Sequence, residues 1–229
     1  MLKVLSFLTR RDDFTLPAFS EYWRTTHKAH ALKLVDAGFI RGYIQNHRIG
    51  DDPGSGLPGL PLLADGSPEL WVDDADALAR LVSSREYLDG AGPDEANFVA
   101  PPVLAFVARE EVVVDSPLPP GAVKLIVVAR RGPALAAAEF ARRWLGSCRP
   151  LPMPDAVPLR LTRHIAIADD VPFDGAECSW WPSLDALHAA WADADLATLE
   201  ALVAEGSLRG MVVREETVVA APTLQPALA

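Results

Sequence analysis

An internal repeat limits the folds open to this chain more than any other feature of its sequence. Residues 3–10 (KVLSFLTR) align with residues 124–131 (KLIVVARR) at a shift of 121. Repetition at a fixed shift indicates that one structural unit occurs twice. Without a gap, the same shift carries Phe19 onto Phe140, Trp23 onto Trp144, and His27 onto Cys148.

Four further matches follow in the same order along the chain. Asp65-Gly66 matches Asp174-Gly175, Trp71 matches Trp180, residues 76–78 match 185–187, and residues 107–114 match 212–219. The shift falls along the chain because the loops of the second copy are shorter. Between the copies, residues 115–121 contain three prolines and a glycine, which are typical of a linker. We therefore predict two repeats, at 1–115 and 122–220, and a Gly- and Pro-rich loop at 50–66 in the first repeat alone.

Composition excludes several classes of protein. The net charge of −10 argues against nucleic-acid binding, which needs a clustered basic surface. The N-terminus enters a strand pattern at once, without the features of a signal peptide. No apolar run approaches the roughly 18 residues of a membrane span. We therefore predict a cytoplasmic protein that does not bind nucleic acid or membranes, with its two cysteines reduced and buried.

Each repeat is predicted to contain strand, helix, strand, strand, helix and strand, in that order. In the first repeat, Leu2 to Thr9 is a short apolar run that is typical of a buried strand. Pro17 suits the first turn of a helix, with Thr15 as its cap, and Gly38 ends the helical region. Strands are predicted over 39–49, 69–72 and 102–114, and a helix capped by Asp73-Asp74 extends to Tyr87.

The second repeat has predicted strands over 123–130, 158–168, 176–181 and 208–219, and helices over 135–149 and 183–204. This order predicts an α+β fold in which a four-stranded antiparallel sheet carries both helices on one face. The strands are apolar on both faces, so the other repeat is expected to cover the helix-free face. We predict two ferredoxin-like (βαββαβ) repeats packed sheet to sheet as a pseudo-dimeric α+β barrel, in a monomer or a homodimer.

Two segments of the first repeat resemble the EthD family. One is the helix string 19–27 (FSEYWRTTH), which follows the first strand and the pair Arg10-Arg11, and the other is the strand 41–48 (RGYIQNHR). EthD proteins belong to the dimeric α+β barrel superfamily, whose subunits pair sheet to sheet. The resemblance covers nearly all of the first repeat and, more faintly, the second.

The resemblance implies a range of activities, because a fold does not fix a function. The superfamily includes cofactor-free cyclases, decarboxylases, dehydratases and isomerases, quinone-forming monooxygenases and haem-handling proteins. EthD itself is named for a role beside an oxidative ether-degrading system.

Histidine and tyrosine gather in the first repeat. A strand places alternate residues on one face, so Tyr43, Gln45 and His47 project together. If the helix turns His27 toward that strand, a small-molecule pocket is expected between helix and sheet. The predicted catalytic residues are His27, His47, Tyr22 and Tyr43, and the predicted substrate-binding residues are Trp23, His30, Gln45 and Trp71.

These residue types suit acid–base chemistry. Histidine exchanges a proton near neutral pH, and a tyrosine hydroxyl can donate a hydrogen bond to a developing oxyanion. We hypothesise that His27 or His47 is the general base, beside Tyr22 or Tyr43. The predicted function is that of a cofactor-free dehydratase, cyclase, decarboxylase or isomerase acting on a small apolar carbonyl or aromatic compound. The alternatives are a cofactor-independent monooxygenase of oxidative catabolism and a non-catalytic protein that binds a small hydrophobic ligand.

Structural roles compete with these assignments. Trp23 recurs as Trp144, as expected of a core residue, and His30 also suits a surface position. His47 has an apparent counterpart in His164 at a shift of 117. The second repeat replaces the other candidates, with Cys148 at His27, Arg143 at Tyr22 and Leu151 at His30. We therefore predict a site in the first repeat only, with Cys148 activated by Arg149 as a weaker alternative.

No metal, haem or other cofactor is predicted. His27, His30 and His47 would present three nitrogens to a metal ion, but no acidic residue clearly converges on them. Haem would need an axial histidine and basic partners for its propionates, for which Arg24, Lys28 and Lys33 are the candidates. No Gly-rich loop leads from a strand into a helix, so a nucleotide cofactor is not indicated.

Overall fold

A computed structural model describes residues 1–50 and 56–222 and contains both strands and helices. The strands are β1 (Leu2–Arg10), β2 (Gly42–Arg48), β3 (Gly66–Val72), β4 (Val99–Asp115), β5 (Val123–Ala129), β6 (Arg160–Ala166), β7 (Gly175–Trp181) and β8 (Arg209–Val219). The helices are α1 (Leu16–Tyr22), α2 (Lys28–Asp36), α3 (Ala75–Val82), α4 (Gly92–Glu95), α5 (Ala137–Leu145), α6 (Leu184–Trp191) and α7 (Leu196–Glu200). Two π-helical segments, Trp23–His27 and Tyr87–Ala91, lie between α1 and α2 and directly before α4. None of the described helices combines the length and the apolar character needed to cross a membrane.

The strand order confirms the predicted α+β class. The strands are hydrogen-bonded in the order β1-β3-β2-β8-β5-β7-β6-β4, which closes on itself as in a barrel. Pairs from the same repeat, such as β1 with β3 and β5 with β7, are antiparallel. Within this order, the strands of the first repeat follow one another as β4, β1, β3, β2, and those of the second as β8, β5, β7, β6.

The chain forms two compact units whose bounds differ from those of the sequence repeats. The first unit comprises Met1–His47, Ala64–Val107 and the chain from Glu215 onward, and the second comprises Arg48–Leu63 and Ala108–Arg214. Residues 56–63 of the loop that only the first repeat contains are thus part of the second unit. Its Leu57 and Leu60 lie in the core of that unit, and the Trp191 side chain donates a hydrogen bond to the Pro58 carbonyl.

The first unit is organised by apolar side chains that the helices turn toward the sheet. Thr15 caps α1, as predicted, by accepting a hydrogen bond from the Ala18 amide. Gly38, with a φ of 79°, follows the end of α2, again as predicted. The buried cores contain Leu8, Leu16, Phe19, Trp23, Phe98 and Val99 in one cluster, and Val4, Ala31, Leu34, Tyr43, Val72, Ala77 and Leu81 in another.

The second unit buries the corresponding faces of α5, α6 and α7. Its core includes Phe140 and Trp144 from α5, Leu187 and Trp191 from α6, and Leu199 from α7. The predicted helix over 183–204 is divided in two, because Asp195 accepts a hydrogen bond from the Thr198 amide and starts a new helix.

Three contacts recur at the aligned positions of the two repeats. Trp23 packs over Gly66 and Trp144 over Gly175, Arg10 pairs with Asp65 and Arg131 with Asp174, and the Lys3 and Lys124 ammonium groups lie 4.4 and 4.5 Å from the ring centroids of Trp71 and Trp180. A Cβ at Gly66 or Gly175 would lie 2.6 or 2.8 Å from the tryptophan above it, so both positions need glycine. The aligned blocks therefore make the same contacts in both repeats.

Some predicted bounds and burial assignments are wrong. β2 is shorter than predicted, and β4 begins at Val99, before its predicted start at Pro102. Proline is tolerated there because residues 101–105 are exposed. Cys178 is buried as predicted, but Cys148 is exposed. It follows the end of α5, outside the face that packs on the sheet.

Candidate active site

The helical region of the first repeat places Tyr22, Trp23 and His27 in two adjoining polar clusters. Between α1 and α2 the chain adopts a π-helical turn, Trp23–His27, in which Trp23 and His27 are both buried. A π-helical turn re-aims side chains relative to a regular helix and is frequent at functional sites.

The first cluster is centred on Asp94, a residue of α4. His27 Nδ1 lies 2.8 Å from Asp94 Oδ2, and the Tyr22 hydroxyl donates to Asp94 Oδ1 at 2.8 Å. The Asn97 amide donates to the same Oδ1 at 3.0 Å. Phe98 packs against His27, with ring centroids 5.0 Å apart, and closes one side of the imidazole. The result is a buried carboxylate that receives three donors.

The electrostatics of this cluster keep His27 neutral at pH 7. Burial lowers the pKa of His27 from its usual 6.5, and the hydrogen bond to Asp94 opposes that shift without cancelling it. Burial alone would raise the pKa of Asp94, but the donors from Tyr22, His27 and Asn97 outweigh burial and lower it. Burial, followed by the hydrogen bond to Asp94, raises the pKa of Tyr22.

This pattern of donors fixes the tautomer of His27. Asp94 is ionised and can only accept, so the proton of the neutral imidazole lies on Nδ1. The lone pair is then on Nε2, for which the described part of the chain provides no hydrogen-bond partner. A carboxylate that orients a histidine in this way stabilises the imidazolium formed when Nε2 takes a proton. This arrangement allows His27 Nε2 to accept a proton.

The second cluster joins Trp23 to β2. The Tyr43 hydroxyl oxygen accepts from Trp23 Nε1 at 3.1 Å and from Gln45 Nε2 at 2.7 Å, and Gln45 Nε2 also donates to the Trp23 carbonyl at 3.1 Å. The carbonyl can only accept, which orients the Gln45 amide with Oε1 toward His47 Nε2, 3.2 Å away. His47 Nδ1 lies 3.1 Å from the Ser20 hydroxyl.

Both ring nitrogens of His47 are therefore occupied. Burial, reinforced by the charge of Arg24, lowers the pKa of His47 to about 4. Burial also raises the pKa of Tyr43 to about 12, although Gln45 and Trp23 donate to its oxygen. Both groups are neutral at pH 7. His47 has a partner at each ring nitrogen, whereas the described part of the chain provides none for His27 Nε2.

Two predicted substrate-binding residues lie apart from these clusters. His30 is half-buried in α2 beside Gly90. Trp71 pairs with Lys3 and with Gly42 across the sheet, whereas Tyr43 pairs with Leu70. Because successive residues of a strand face opposite sides, Trp71 lies on the other face of β3 from the side of Tyr43, Gln45 and His47.

The proposed equivalence of His47 and His164 is wrong by one residue. His47 pairs with Gly66, whereas Gly175, the counterpart of Gly66, pairs with Ile165. His164 therefore corresponds to Asn46, because a shift of one residue reverses the face of a strand. Its Nε2 lies 3.2 Å from Glu110 Oε1 on the opposite face of the sheet.

A buried ion pair occupies the place of Gln45 in the second repeat. The corrected register aligns Gln45 with Arg163 and Pro68 with Glu177. Arg163 Nε donates to Glu177 Oε2 at 2.9 Å, and the guanidinium also donates to the carbonyls of Leu145, Ser147 and Arg149. The position is thus filled by side chains that hold the chain after α5.

Two of the three candidate haem partners, Arg24 and Lys28, are engaged elsewhere. Arg24 Nε lies 2.6 Å from Glu216 Oε2, and Lys28 Nζ lies 3.3 Å from Glu216 Oε1. Glu216, together with Glu21 at 3.6 Å from Arg24, balances these two charges, which does not favour binding of haem propionates. Among residues 1–50 and 56–222, no group of three or more His, Cys, Asp or Glu side chains has an arrangement that could hold a metal ion.

The sequence analysis missed Asp94. Its only sequence signal is its place after Gly92-Pro93, where an acidic residue is typical of the first turn of a helix. An acidic residue at this place is interpreted as a residue of a helix N-terminus. Its contact with His27, 67 positions earlier, is not visible in the sequence.

Solved structures define the class of fold. An anthrone oxidase-like protein is 12% identical, with 100% of this chain and 96% of that chain covered and a TM-score of 0.58. A candidate monooxygenase from Lactobacillus acidophilus NCFM is 11% identical, with 96% and 99% covered and a TM-score of 0.51. A chlorite dismutase variant from Candidatus Nitrospira defluvii, in complex with cyanide, is 11% identical, with 94% and 90% covered and a TM-score of 0.52. At such low identity these similarities show the fold, which is of the dimeric α+β barrel type.

The family follows from the first repeat. Residues 11–102 match the model of the EthD domain, so this part of the chain is similar to the EthD family. No curated protein matches the chain. The resemblance drawn from residues 19–27 and 41–48 is confirmed.

These comparisons overturn the first functional prediction. We expected a dehydratase, cyclase, decarboxylase or isomerase, whereas the EthD match and the monooxygenase and oxidase descriptions of proteins with this fold favour oxidative chemistry. The prediction was wrong because the same His and Tyr side chains serve proton transfer in both kinds of reaction. Residue types alone do not distinguish a lyase from an oxidase that begins with deprotonation.

Proposed function

We propose that this protein is an oxidoreductase, a cofactor-independent monooxygenase that oxidises a small electron-rich aromatic compound in its first repeat. The observation that carries the proposal is the neutral His27 imidazole, held through Nδ1 by Asp94, with its Nε2 lone pair free of protein partners. The EthD match over residues 11–102 supports the oxidative direction.

In this reaction His27 Nε2 takes a proton from a phenolic hydroxyl or from an activated CH₂ of the substrate. The Asp94 carboxylate stabilises the resulting imidazolium, and Tyr22 and Asn97 hold the carboxylate in place. The substrate anion is the electron donor and dioxygen is the oxidant. Oxidation of CH₂ to C=O uses one O₂, places one oxygen atom in the product and releases the other as water with the two hydrogens.

The remaining predictions belong to the same proposal. Each repeat would be a ferredoxin-like unit, since each has its four strands in the order 4-1-3-2, with repeat bounds at 1–115 and 122–220. Gln45 and Trp23 would shape the wall of the site, and Tyr43 and His47 would support it. The substrate is small and apolar or aromatic, no cofactor takes part, and the chain acts as a monomer or a homodimer in the cytoplasm.

The proposal is tested by dioxygen uptake with anthrone as the probe substrate, using protein stripped of flavin and treated with a chelator. One O₂ consumed for each anthraquinone formed, with one atom of ¹⁸O₂ in the ketone, is the expected result. His27→Ala should abolish most of the turnover, and His47→Ala should reduce it less. Turnover that requires added flavin or metal, or that is equal in wild type and His27→Ala, would contradict the proposal.

A further inference from the structure

We propose that an open cavity in the first unit is a binding site for organic cations, namely a protonated amine attached to an apolar group, with Glu95 as the counter-ion. This site is separate from the His27 cluster and does not depend on the oxidative function.

The cavity has the size and lining of a small-molecule site. Its volume is about 720 Å³, which is within the usual range of ligand pockets. One part of its wall is apolar and consists of small and branched side chains, Ala96, Val99, Ala100, Pro101 and Val103. The polar part contains Glu95, Arg11, Asp12 and Asp13. An apolar body and one polar group of a ligand can therefore be accommodated together.

Glu95 differs from its neighbour Asp94 in the direction it faces and in its partners. Asp94 is bound by Tyr22, His27 and Asn97, and it does not line the cavity. Glu95 is half-buried in the cavity wall, and its carboxyl has no hydrogen bond or ion pair with any residue in 1–50 or 56–222. A half-buried carboxylate without a partner is unfavourable, so a cationic ligand would gain from pairing with it.

The charged residues that line the cavity leave a net negative charge there. Arg11 donates to both carboxylate oxygens of Asp13, at 2.9 and 3.0 Å, and to the Ala96 carbonyl at 3.1 Å. Its charge is thereby matched, while Asp12 is exposed at the rim. A cation is attracted by Glu95 and Asp12, and an anion of the same shape is repelled.

Glu95 also makes the affinity depend on pH. Burial, and to a lesser degree the charge of Asp94, raises the pKa of Glu95 to about 7. The other titratable groups that feel its charge are Tyr43 in β2 and Tyr87 in the π-helical segment, and both remain neutral in this pH range because their pKa values are raised. The ionised fraction of Glu95 therefore rises about tenfold between pH 6 and pH 8.

The test is titration calorimetry with three probes of similar shape: 2-phenylethylammonium, neutral 2-phenylethanol and anionic 3-phenylpropanoate. The ammonium probe should bind at least about tenfold more tightly than the alcohol at pH 8, and the anion should not bind. The affinity for the ammonium probe should rise about tenfold from pH 6 to pH 8, since its amine, like that of lysine, stays protonated. Equal affinity for the three probes, or no change with pH, would overturn the proposal.

Matched variants locate the site. Glu95→Gln keeps the shape of the side chain and should lower the affinity for the ammonium probe at pH 8 about tenfold or more, while its thermal unfolding shows an intact fold. Asp12→Asn removes an equal charge from the exposed rim, where solvent screens it, and should change the affinity less than about twofold. An equal loss in the two variants would mean diffuse attraction of cations and would refute a site at Glu95. Retention of the full affinity in His27→Ala separates this site from the oxidative one.

Discussion

One aligned position carries a neutral side chain in the first repeat, Gln45, and a charged side chain in the second, Arg163. Gln45 of the first repeat joins neutral groups, Tyr43 and His47, beneath a helical region that extends from Leu16 to Asp36. Arg163 of the second repeat makes a buried ion pair with Glu177 and binds the chain after α5, which ends at Leu145. Where the first repeat continues as helix and carries His27, the second forms a loop whose carbonyls require donors, and Arg163 supplies them.

The difference shows how one repeat can keep a reactive group and the other lose it. The continuous helical region of the first repeat, including its π-helical turn, satisfies most of its own backbone, which leaves the His27 side chain to pair with Asp94. In the second repeat, the carbonyls of Ser147 and Arg149 lie after the end of α5 and accept hydrogen bonds from the Arg163 side chain. In the second repeat an ion pair thus occupies the position aligned with Gln45, and Cys148 stands at the position aligned with His27.

The largest expected difference between the repeats is in turnover. His27→Ala should lower kcat/KM for oxidation of the aromatic probe by about 10²- to 10⁴-fold, which is the usual contribution of a general base. Cys148→Ala, at the aligned position of the second repeat, should change it less than about twofold. Steady-state kinetics on both variants, with unfolding curves as a check, compare the two positions. A large loss in Cys148→Ala would show that the second repeat is also active.

The next largest effect concerns the buried ion pair. Arg163→Met leaves Glu177 buried without its charged partner and should lower the free energy of unfolding by about 3–5 kcal/mol. Removal of both charges in Arg163→Met with Glu177→Leu should destabilise the protein less than the single change does. Urea denaturation of the three proteins measures this. A double variant less stable than Arg163→Met would contradict the role assigned to the pair.

A smaller loss is expected at the aligned residue of the first repeat. Gln45→Leu leaves the Trp23 carbonyl and His47 Nε2 without this partner but creates no unpaired charge, so the expected destabilisation is about 1–3 kcal/mol. The same denaturation experiment provides the comparison. If Gln45→Leu proved as costly as Arg163→Met, the contrast between a neutral and an ionic network would fail.

The smallest expected effect concerns the helix caps. Thr15 caps α1, whereas Ala136, at the aligned position before α5, provides no side-chain cap. Thr15→Ala should lower the free energy of unfolding by about 1 kcal/mol, and Ala136→Thr should raise it by a similar amount. Thermal unfolding of the two variants gives the signs. A loss of stability in Ala136→Thr would mean that the two helix starts differ in geometry.

The sequence was sufficient for the features that depend on local rules. The caps at Thr15 and Asp74 and the glycine after α2 follow from local propensity, and all three are present. The shift of 117 between His47 and His164 failed because strand register is set by pairing across the sheet. Asp94 was missed because its role depends on a contact with His27 that only the folded chain creates.

We infer that Asp94 holds a neutral, proton-accepting His27, and a titration of the imidazole by ¹⁵N NMR tests this without any substrate. Because burial lowers the pKa of His27 and Asp94 opposes burial, we expect a pKa below 6.5 that falls further in Asp94→Asn. His27 should therefore gain its proton only as the pH falls through that lowered value. A pKa of His27 at or above 6.5, or a pKa that is unchanged in Asp94→Asn, would contradict the account.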